Sequence, residues 1–451
     1  MKATITFILI FCLLSPPSFA ADETVLDIQK VTSPNGIEAW LVEDHSLPII
    51  SLRFAFKGAG SVNLTTEQQG ISQLLSNTMD EGAGDYTSQE FQKVLSDNSI
   101  TLRFSSNRDN FGGNLKFLTR EKEKAVKLLT LALNQPRFDE EPLERMKQAN
   151  LTRIKSSQTD PEWIAARLYN DRAYENHPYA LNSGGTLTTL PAITADNLRE
   201  FKNAQLTKDR LMIGVSGDIS AEQLGRLLDE IFGALPNTSP ETNIKKTKIT
   251  NKGNVYLHEK DIPQTILMIS IDSIDETDSD FYALQILNHI FGASGFGSRL
   301  MEEAREKQGL TYGIYSGLTN HEYVDALTIS TSTKNKTVAQ MIQIITDEMN
   351  KVKSDITDKE INKAKDYIIG SMPLSLTNNS SIASILLSLQ LSDKPIDYLD
   401  KYRTKLNEVT AEDVKRLAET LFTTENMLTI MVGQPQDIEN TIEITEIPNV
   451  E

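Results

Sequence analysis

One internal repeat constrains the fold of this chain more than any other feature of its sequence. The segment Ile193-Thr-Ala-Asp-Asn-Leu-Arg-Glu-Phe returns as Val409-Thr-Ala-Glu-Asp-Val-Lys-Arg-Leu, an offset of 216 residues (409 − 193). Each copy is followed by a run of β-forming residues that contains glycine near its end, which begins at Arg210 in the first copy and at Met427 in the second. This spacing is much longer than that of a solenoid, so it predicts two homologous halves of about 210 residues.

The repeat also indicates where the two halves begin and end. Residues 236–252 contain Pro236 and Pro240 and few apolar side chains, a composition that is typical of a linker. We therefore expect a first half at 21–235 and a second half at 253–451. A half of this size can bury a hydrophobic core without disulfide bonds.

Hydrophobic periodicity predicts both strands and helices within the first half. Apolar residues alternate at the end of the run 49–56, whereas they recur at helical spacing after Gly70. The expected strands are 37–42, 49–56, 98–105 and 110–118, and the expected helices are 70–80 and 120–133. This order of elements predicts an α+β fold in which each half is a mixed β-sheet covered by helices.

The composition is that of an acidic globular protein. The chain has 62 Asp and Glu residues against 45 Lys and Arg residues, a net charge of −17, and 39% of its residues are hydrophobic. The hydrophobic content excludes a disordered chain. The negative charge repels the phosphates of nucleic acids, so we expect no nucleic-acid partner.

The first twenty residues have the pattern of a secretory signal peptide. Lys2 precedes an apolar run from Ile5 to Leu14, and the segment ends in Ser18-Phe19-Ala20, a small-x-small cleavage pattern. Cleavage after residue 20 would remove Cys12, the single cysteine, and leave a chain that cannot form a disulfide bond. We expect an exported protein without a later transmembrane segment, periplasmic if the cell is a Gram-negative bacterium.

The helix predicted from Gly70 has one apolar face and one polar face. Its apolar positions recur at i, i+3, i+4, i+7 and i+8, which predicts a single buried stripe of Ile71, Leu74, Leu75, Thr78 and Met79. The opposite stripe contains Gln73, Ser76, Asn77 and Asp80.

This helix resembles the zinc-binding helix of the pitrilysin/insulinase-type peptidases, which include the mitochondrial processing peptidase. The strings His177-Pro-Tyr and Gly184-Gly-Thr also resemble segments of that family, and the resemblance extends over the chain after the signal peptide. Family enzymes carry His-x-x-Glu-His here, with two His as zinc ligands and a Glu that activates water. Gln73, Ser76 and Asn77 occupy those three positions in this sequence.

None of these substitutions preserves the chemistry of the motif. A neutral amide is a poor zinc ligand, and a serine hydroxyl is not a base at neutral pH. The third ligand of the family, a Glu, would fall between Asn150 and Arg153, but residues 146–159 contain no acid. The resemblance therefore implies that this chain binds no catalytic zinc.

A second motif in the other half matches the same family without such losses. The string from Phe291 to Gly313 resembles the family's C-terminal signature, a glycine-rich loop followed by Ser-Arg-Leu and Arg-Glu-Lys-x-Gly-Leu-x-Tyr. Its pattern predicts a helix at 298–307 and a strand at 310–316. A turn between the two elements would let the side chains of Arg305 and Tyr312 reach one point.

The resemblance implies that Arg305 and Tyr312 hold the substrate carbonyl and the oxyanion opposite a zinc ion. It also implies that the loop of Gly295, Phe296 and Gly297 approaches a bound peptide. Arginine supplies a fixed charge with planar donors, and tyrosine supplies a neutral hydroxyl donor. A structural role stays open, in which Arg305 compensates a helix C-terminus and Tyr312 packs on the sheet.

Two functional hypotheses follow. In the first, the chain is the zinc-less subunit of an exported two-chain peptidase. A partner with His-x-x-Glu-His supplies the zinc, and an unfolded peptide binds by adding a strand to a sheet edge. The second is a non-catalytic binding or structural protein, like the core subunits of respiratory complexes that have this fold. Neither hypothesis predicts activity of the isolated chain, and five scattered histidines suggest no other catalytic constellation.

Overall fold

The computed structural model describes residues 24–451. The predicted signal peptide, with Cys12, lies outside these residues. Within them, no helix is both long enough and apolar enough to cross a lipid bilayer.

Within the described residues, the first half contains six strands and eight α-helices. In chain order these are β1 (Gln29–Thr32), β2 (Glu38–Glu43), β3 (Ile49–Phe56), α1 (Ile71–Thr78), α2 (Ser88–Asp97), β4 (Thr101–Ser106), β5 (Phe111–Leu118), α3 (Lys122–Asn134), α4 (Glu140–Ser157), α5 (Pro161–Ala173), α6 (Thr189–Ala192), α7 (Ala195–Gln205), β6 (Leu211–Gly217) and α8 (Ala221–Phe232).

The second half contains another six strands and seven helices. They are β7 (Val255–Glu259), β8 (Gln264–Asp272), α9 (Phe281–Asn288), α10 (Arg299–Met301), β9 (Ile314–His321), β10 (Val324–Lys334), α11 (Val338–Asp355), α12 (Asp358–Ser371), α13 (Asn379–Leu391), α14 (Tyr398–Glu408), α15 (Ala411–Leu421), β11 (Leu428–Gly433) and β12 (Thr441–Glu443). Two π-helical turns, His289–Ala293 and Glu302–Lys307, continue α9 and α10. The stretch between α8 and β7, which includes 236–252, forms neither helix nor strand.

The strands form two mixed sheets of six strands each, so the predicted α+β fold is confirmed. The first sheet has the order β1-β2-β6-β3-β5-β4 and the second the order β12-β7-β11-β8-β10-β9. Equivalent inner strands also pair in the same direction, since β2 and β6 run parallel in the first sheet and β7 and β11 run parallel in the second. The outermost pairs differ, because β1 is antiparallel to β2 whereas β12 is parallel to β7. Strands β4 and β9 are equivalent edge strands.

The predicted element boundaries differ from the structure mainly where the chain turns sharply. The strand 49–56 is observed as β3, and the helix 70–80 shortens to α1. The strand predicted from residue 98 starts only at Thr101, because α2 ends at Asp97 and Ser99 adopts a left-handed conformation (φ 53°). Such a conformation interrupts a strand, and short-range hydrophobic patterns do not reveal it.

Each half also supplies one helix that covers the sheet of the other half. Helix α13 packs on β2, β3 and β6 of the first sheet, and α5 packs on β8 and β11 of the second. On α5, Leu168 joins a core cluster with Ile430, and the hydroxyl of Tyr169 lies 3.1 Å from that of Ser270. On α13, the side-chain amide of Gln390 donates to the carbonyl of Ile213. The two halves therefore share their cores, whereas the sequence predicts only that each sheet is covered by helices.

A glycine in the first sheet makes this exchange possible, so Gly214→Ala is expected to destabilise the protein. A Cβ at Gly214 would lie 2.8 Å from the backbone nitrogen of Leu387 and would also collide with the carbonyl oxygen of Ala383. Overpacking of this kind costs about 1 to 3 kcal/mol of unfolding free energy. The matched control is Gly317→Ala in β9, since nothing lies within 4 Å of a Cβ there. Equal urea unfolding midpoints for the two variants would contradict the close packing of α13.

Candidate functional site

The positions of the lost zinc motif lie on α1 beside the first core. Ile71, Leu74, Leu75, Thr78 and Met79 are all buried, as their helical spacing predicts. On the other side of α1, Gln73 and Asn77 are half-buried. Ser76 is buried, contrary to its predicted place on the polar face, and its hydroxyl donates to the backbone carbonyl of Gln73 at 2.8 Å.

Helices α1 and α4 bring these positions together with a fourth neutral side chain. The side-chain oxygen of Asn77 accepts hydrogen bonds from the amide of Gln73 at 3.5 Å and from the amide of Asn150 at 3.2 Å. Asn150 is 6% exposed and lies where the family's third ligand was expected. We call Gln73, Ser76, Asn77 and Asn150 the amide cluster.

The amide cluster does not fit a zinc ion. Zinc sites in proteins use thiolate, imidazole and carboxylate groups, whereas this cluster offers three carboxamides and one hydroxyl. Within residues 24–451, no group of three or more His, Cys, Asp or Glu side chains is arranged to hold a metal ion. The cluster contains no group that could take a proton from water at neutral pH.

Asp80, just after α1, is an acid in an unfavourable environment. Burial raises the pKa of its carboxyl group from 3.8 to about 6, and the carboxylate of Glu81 adds to the rise. Hydrogen bonds from the backbone and from Gln92 and the charge of Arg103 lower the pKa, but they offset only part of this effect. Burial disfavours the charged form of a carboxyl group. The ionised form of Asp80 should therefore reduce the stability of the fold at neutral pH.

Replacing Asp80 by asparagine is accordingly expected to stabilise the protein above about pH 6. The folded-state pKa lies above the unfolded value, so the folded state binds the proton more tightly and loses stability as the pH rises from about 4 to 6. A pKa shift of this size corresponds to at most about 3 kcal/mol of unfolding free energy. Because Asp80 is partly exposed to solvent, we expect the variant to gain only about 1 kcal/mol. Urea unfolding of the variant and of the unmodified protein, at about pH 7.5 and at about pH 4, measures this gain in stability. A gain of equal size at both pH values would contradict this cause.

The glycine-rich loop of the second half forms a tight turn that projects Phe296 outwards. Gly295 and Gly297 adopt left-handed conformations (φ 64° and 92°), which a side chain would strain. The hydroxyl of Ser298 closes the turn by donating to the carbonyl of Gly295 at 2.8 Å. The same hydroxyl accepts from the backbone N–H of Met301 and so begins α10. Phe296, at the tip, is 68% exposed.

The helix predicted at 298–307 exists, but its second part is a π-helical turn from Glu302 to Lys307. Arg299 anchors its start, because its guanidinium binds Glu360 through two hydrogen bonds of 2.9 and 3.0 Å and also pairs with Asp355. Arg305 lies within the wider turn, which periodicity cannot distinguish from an α-helical one.

Tyr312 lies before the strand rather than in it, so that prediction was wrong. Strand β9 begins at Ile314, and the hydroxyl of Thr311 both accepts from the N–H and donates to the carbonyl of Gly313. These local hydrogen bonds bend the backbone and compete with strand pairing. Tyr312 is therefore 85% exposed, which also excludes the alternative that it packs on the sheet.

The structure does bring Arg305 and Tyr312 together. The guanidinium carbon of Arg305 lies 4.7 Å from the ring centroid of Tyr312 and 4.6 Å from that of Phe296. Both distances are those of cation–π contacts. Within the described part of the chain, Arg305 forms no ion pair, so its N–H groups are available to donate hydrogen bonds to a ligand.

Two further residues that the sequence did not predict belong to this surface. A Cβ on Gly295 would lie 3.7 Å from the ring of Tyr315 on β9, and one on Gly297 would lie 3.6 Å from the amino group of Lys363 on α12. Tyr315 lies two residues after the recognised motif, within the strand predicted at 310–316, and could have been found from its alternation on that strand. Lys363 is distant in sequence and carries no such signal. We call Phe296, Arg305, Tyr312, Tyr315 and Lys363 the Arg/Tyr surface.

Comparison with known proteins matches both halves to one family. Residues 52–186 match the model described as "Insulinase (Peptidase family M16)", and residues 192–368 match "Peptidase M16 inactive domain". The chain is 26% identical to "Uncharacterized zinc protease YmxG" of Bacillus subtilis, over 90% of this chain and 98% of that protein. It is 24% identical to "Non-peptidase homolog YmxG" of Helicobacter pylori, over 83% and 86% respectively.

A solved structure described as a peptidase M16 inactive domain from Pseudomonas fluorescens has the same architecture. It superposes with a TM-score of 0.85 at 27% identity, covering 93% of this chain and 100% of that one. The resemblance inferred from the motifs is thereby confirmed. The chain belongs to the insulinase-type M16 peptidase family, and it is a member that lacks the zinc-binding residues of the family motif.

Proposed function

We propose that this chain is the zinc-less subunit of an exported, two-chain M16 metallopeptidase. A homologous partner with His-x-x-Glu-His would hold the zinc and activate water. This chain would contribute Arg305 and Tyr312 to the substrate carbonyl and its oxyanion, and the loop of Gly295, Phe296 and Gly297 to the bound peptide.

The observation that carries the proposal is the exposed Arg/Tyr surface. Arg305 has no ion-pair partner within residues 24–451, and it lies beside the rings of Phe296 and Tyr312, which are 68% and 85% exposed. Stability alone explains this arrangement poorly. Exposed aromatic and arginine side chains are typical of binding surfaces. Edge strand β9, which carries Tyr315, would let an extended peptide add to the second sheet.

The names of relatives favour a second candidate, a non-catalytic peptide-binding or structural protein of the same fold. The Helicobacter pylori relative is called a non-peptidase homologue, and a Bacillus subtilis relative, 26% identical over 77% of this chain, is called "Probable inactive metalloprotease YmfF". This candidate predicts a stable protein or assembly without turnover.

Purification of the tagged chain from its own cells, followed by mass spectrometry, separates the two candidates. The peptidase proposal predicts a stoichiometric partner with His-x-x-Glu-His, and cell fractionation should find both chains outside the cytoplasm. A chain that is recovered alone or as a homodimer would favour the second candidate. In either case we expect no peptidase activity from this chain by itself.

A further inference from the structure

We propose that Arg108 and Arg167 form a binding site for a small oxyanion such as inorganic phosphate, at the junction of the two halves. The site lies in a different part of the molecule from the Arg/Tyr surface and does not depend on a partner chain. The proposal rests on two buried guanidinium nitrogens that lack hydrogen-bond partners, on segments that pack against each other.

Arg167, on α5, places a positive charge inside the protein. It is 4% exposed, and two of its nitrogens donate to the backbone carbonyls of Ala180 at 2.5 Å and Leu181 at 3.4 Å. Its third nitrogen, Nε, is buried and has no hydrogen-bond partner within residues 24–451. Carbonyl oxygens accept hydrogen bonds but do not neutralise a charge, and a buried charge without a counter-ion is costly. The environment of Arg167 therefore lacks a negative charge.

Arg108, in the turn between β4 and β5, is held near Arg167 by two short turns. Its backbone carbonyl accepts from the N–H of Val62 at 2.9 Å, within the turn Ser61–Asn63. That turn packs on Pro178–Ala180, which supplies one of the carbonyls bound by Arg167. The Nε of Arg108 is also buried, and it too has no hydrogen-bond partner in the described part of the chain.

The two positive charges act on each other. Burial lowers the pKa of the Arg167 guanidinium to about 10, and the charge of Arg108 contributes to this fall. The carboxylate of Asp171 offsets part of the fall, but it forms its ion pair with Arg172, at 3.4 Å. Arg167 therefore stays protonated at neutral pH. Two neighbouring cations that are removed from water favour the binding of an anion between them.

Asp109, which follows Arg108 in the sequence, is engaged with other partners. It accepts hydrogen bonds from the hydroxyl of Tyr179 and from the N–H of Glu322, and it pairs with His321 at 3.3 Å. Glu322 and His321 belong to the second half, so the site lies where the two halves meet. Over residues 24–451, no carboxylate forms an ion pair with either Arg108 or Arg167.

A small oxyanion suits this arrangement better than other ligands do. The planar guanidinium group presents its N–H donors as a fork that matches the oxygens of a phosphate ion. Because Arg167 is almost completely buried, only a small ion can reach it. The chain has a net charge of −17 and repels anions elsewhere, so a local pair of cations is needed to hold one.

Isothermal titration calorimetry of the full chain with inorganic phosphate tests the proposal. The buffer contains no other oxyanion, and potassium chloride keeps the ionic strength constant. Arg108→Met removes the charge and keeps a long side chain, so it should weaken phosphate binding by about tenfold. Arg103→Met, at an exposed arginine of β4, is the matched control and should bind phosphate as the unmodified protein does.

Phenyl phosphate distinguishes a free ion from a larger phosphorylated ligand. It carries the same oxyanion on a ring that the buried surroundings of Arg167 do not admit. We expect it to bind the unmodified chain about tenfold more weakly than inorganic phosphate does. Equal affinity for the two ligands would overturn the assignment of a small ion.

Urea unfolding gives a second readout. An anion that binds only the folded state should raise the unfolding midpoint of the unmodified protein at about 10 mM phosphate, and this shift should be lost in Arg108→Met. A general salt effect would act on both proteins alike. Equal shifts in the two proteins, equal phosphate affinities, or no phosphate binding by the unmodified chain would each overturn the inference. None of these outcomes bears on the role of Arg305 in a two-chain peptidase.

Discussion

Replacing Arg305 by alanine is expected to lower kcat/KM of the reconstituted two-chain peptidase by about 10² to 10³, the usual effect of removing one oxyanion donor. The guanidinium lies over the rings of Phe296 and Tyr312, which orients its donors before substrate binds. Tyr312→Phe keeps the ring and removes only the hydroxyl, so it should lower the rate by a similar factor if the hydroxyl is a donor. Hydrolysis of a fluorogenic peptide measures both variants.

Two further variants distinguish a role in the reaction from a role in folding. Arg305→Lys keeps the charge but loses the planar fork of donors, so we expect it to restore only part of the rate. Arg120→Ala removes an arginine whose side chain is 76% exposed and should leave the rate unchanged. If Arg305→Ala and Tyr312→Phe both turn over peptide at the normal rate within an intact pair, the proposed role of the Arg/Tyr surface is wrong.

Restoring the zinc residues in the first half is expected to produce a chain that binds about one zinc ion. The change is Gln73→His, Asn77→His and Asn150→Glu, with or without Ser76→Glu. Two imidazoles one helical turn apart and a carboxylate form a common zinc site. The positions are already close, since the side-chain nitrogen of Asn150 lies 3.2 Å from the side-chain oxygen of Asn77. Because the metal would bind only the folded state, zinc at 1,000 times its Kd should add about 4 kcal/mol of stability.

Metal analysis after gel filtration, and thermal unfolding with and without zinc, measure this result. The three-residue variant is the safer one, since Ser76 is buried and a glutamate there would crowd the core. The matched control places two histidines one turn apart on α2, Lys93→His and Asp97→His, and introduces no carboxylate. If the restored chain retains no more zinc than this control, α1 and α4 do not converge as described.

The fold was largely predictable because its signals are local. Strand β3 has the predicted bounds, since every second residue of its run had to be apolar, and α1 carries the predicted buried stripe. The prediction failed where a single hydrogen bond or a backbone dihedral decides the structure. Thr311 bends the chain ahead of β9 and exposes Tyr312, and the turn that holds Arg305 is π-helical.

The sequence by itself determined the two homologous halves, their α+β character and the loss of zinc chemistry, because each depends on periodicity or on residue identity at one position. Only the tertiary structure decided which surfaces meet. It placed Asn150 against Asn77, Arg305 between the exposed rings of Phe296 and Tyr312, and α13 of the second half on the first sheet. Hydrophobic periodicity predicts that one face of a helix or strand is buried. The residues that cover this face come from segments distant in sequence, and their positions depend on the packing of the whole chain.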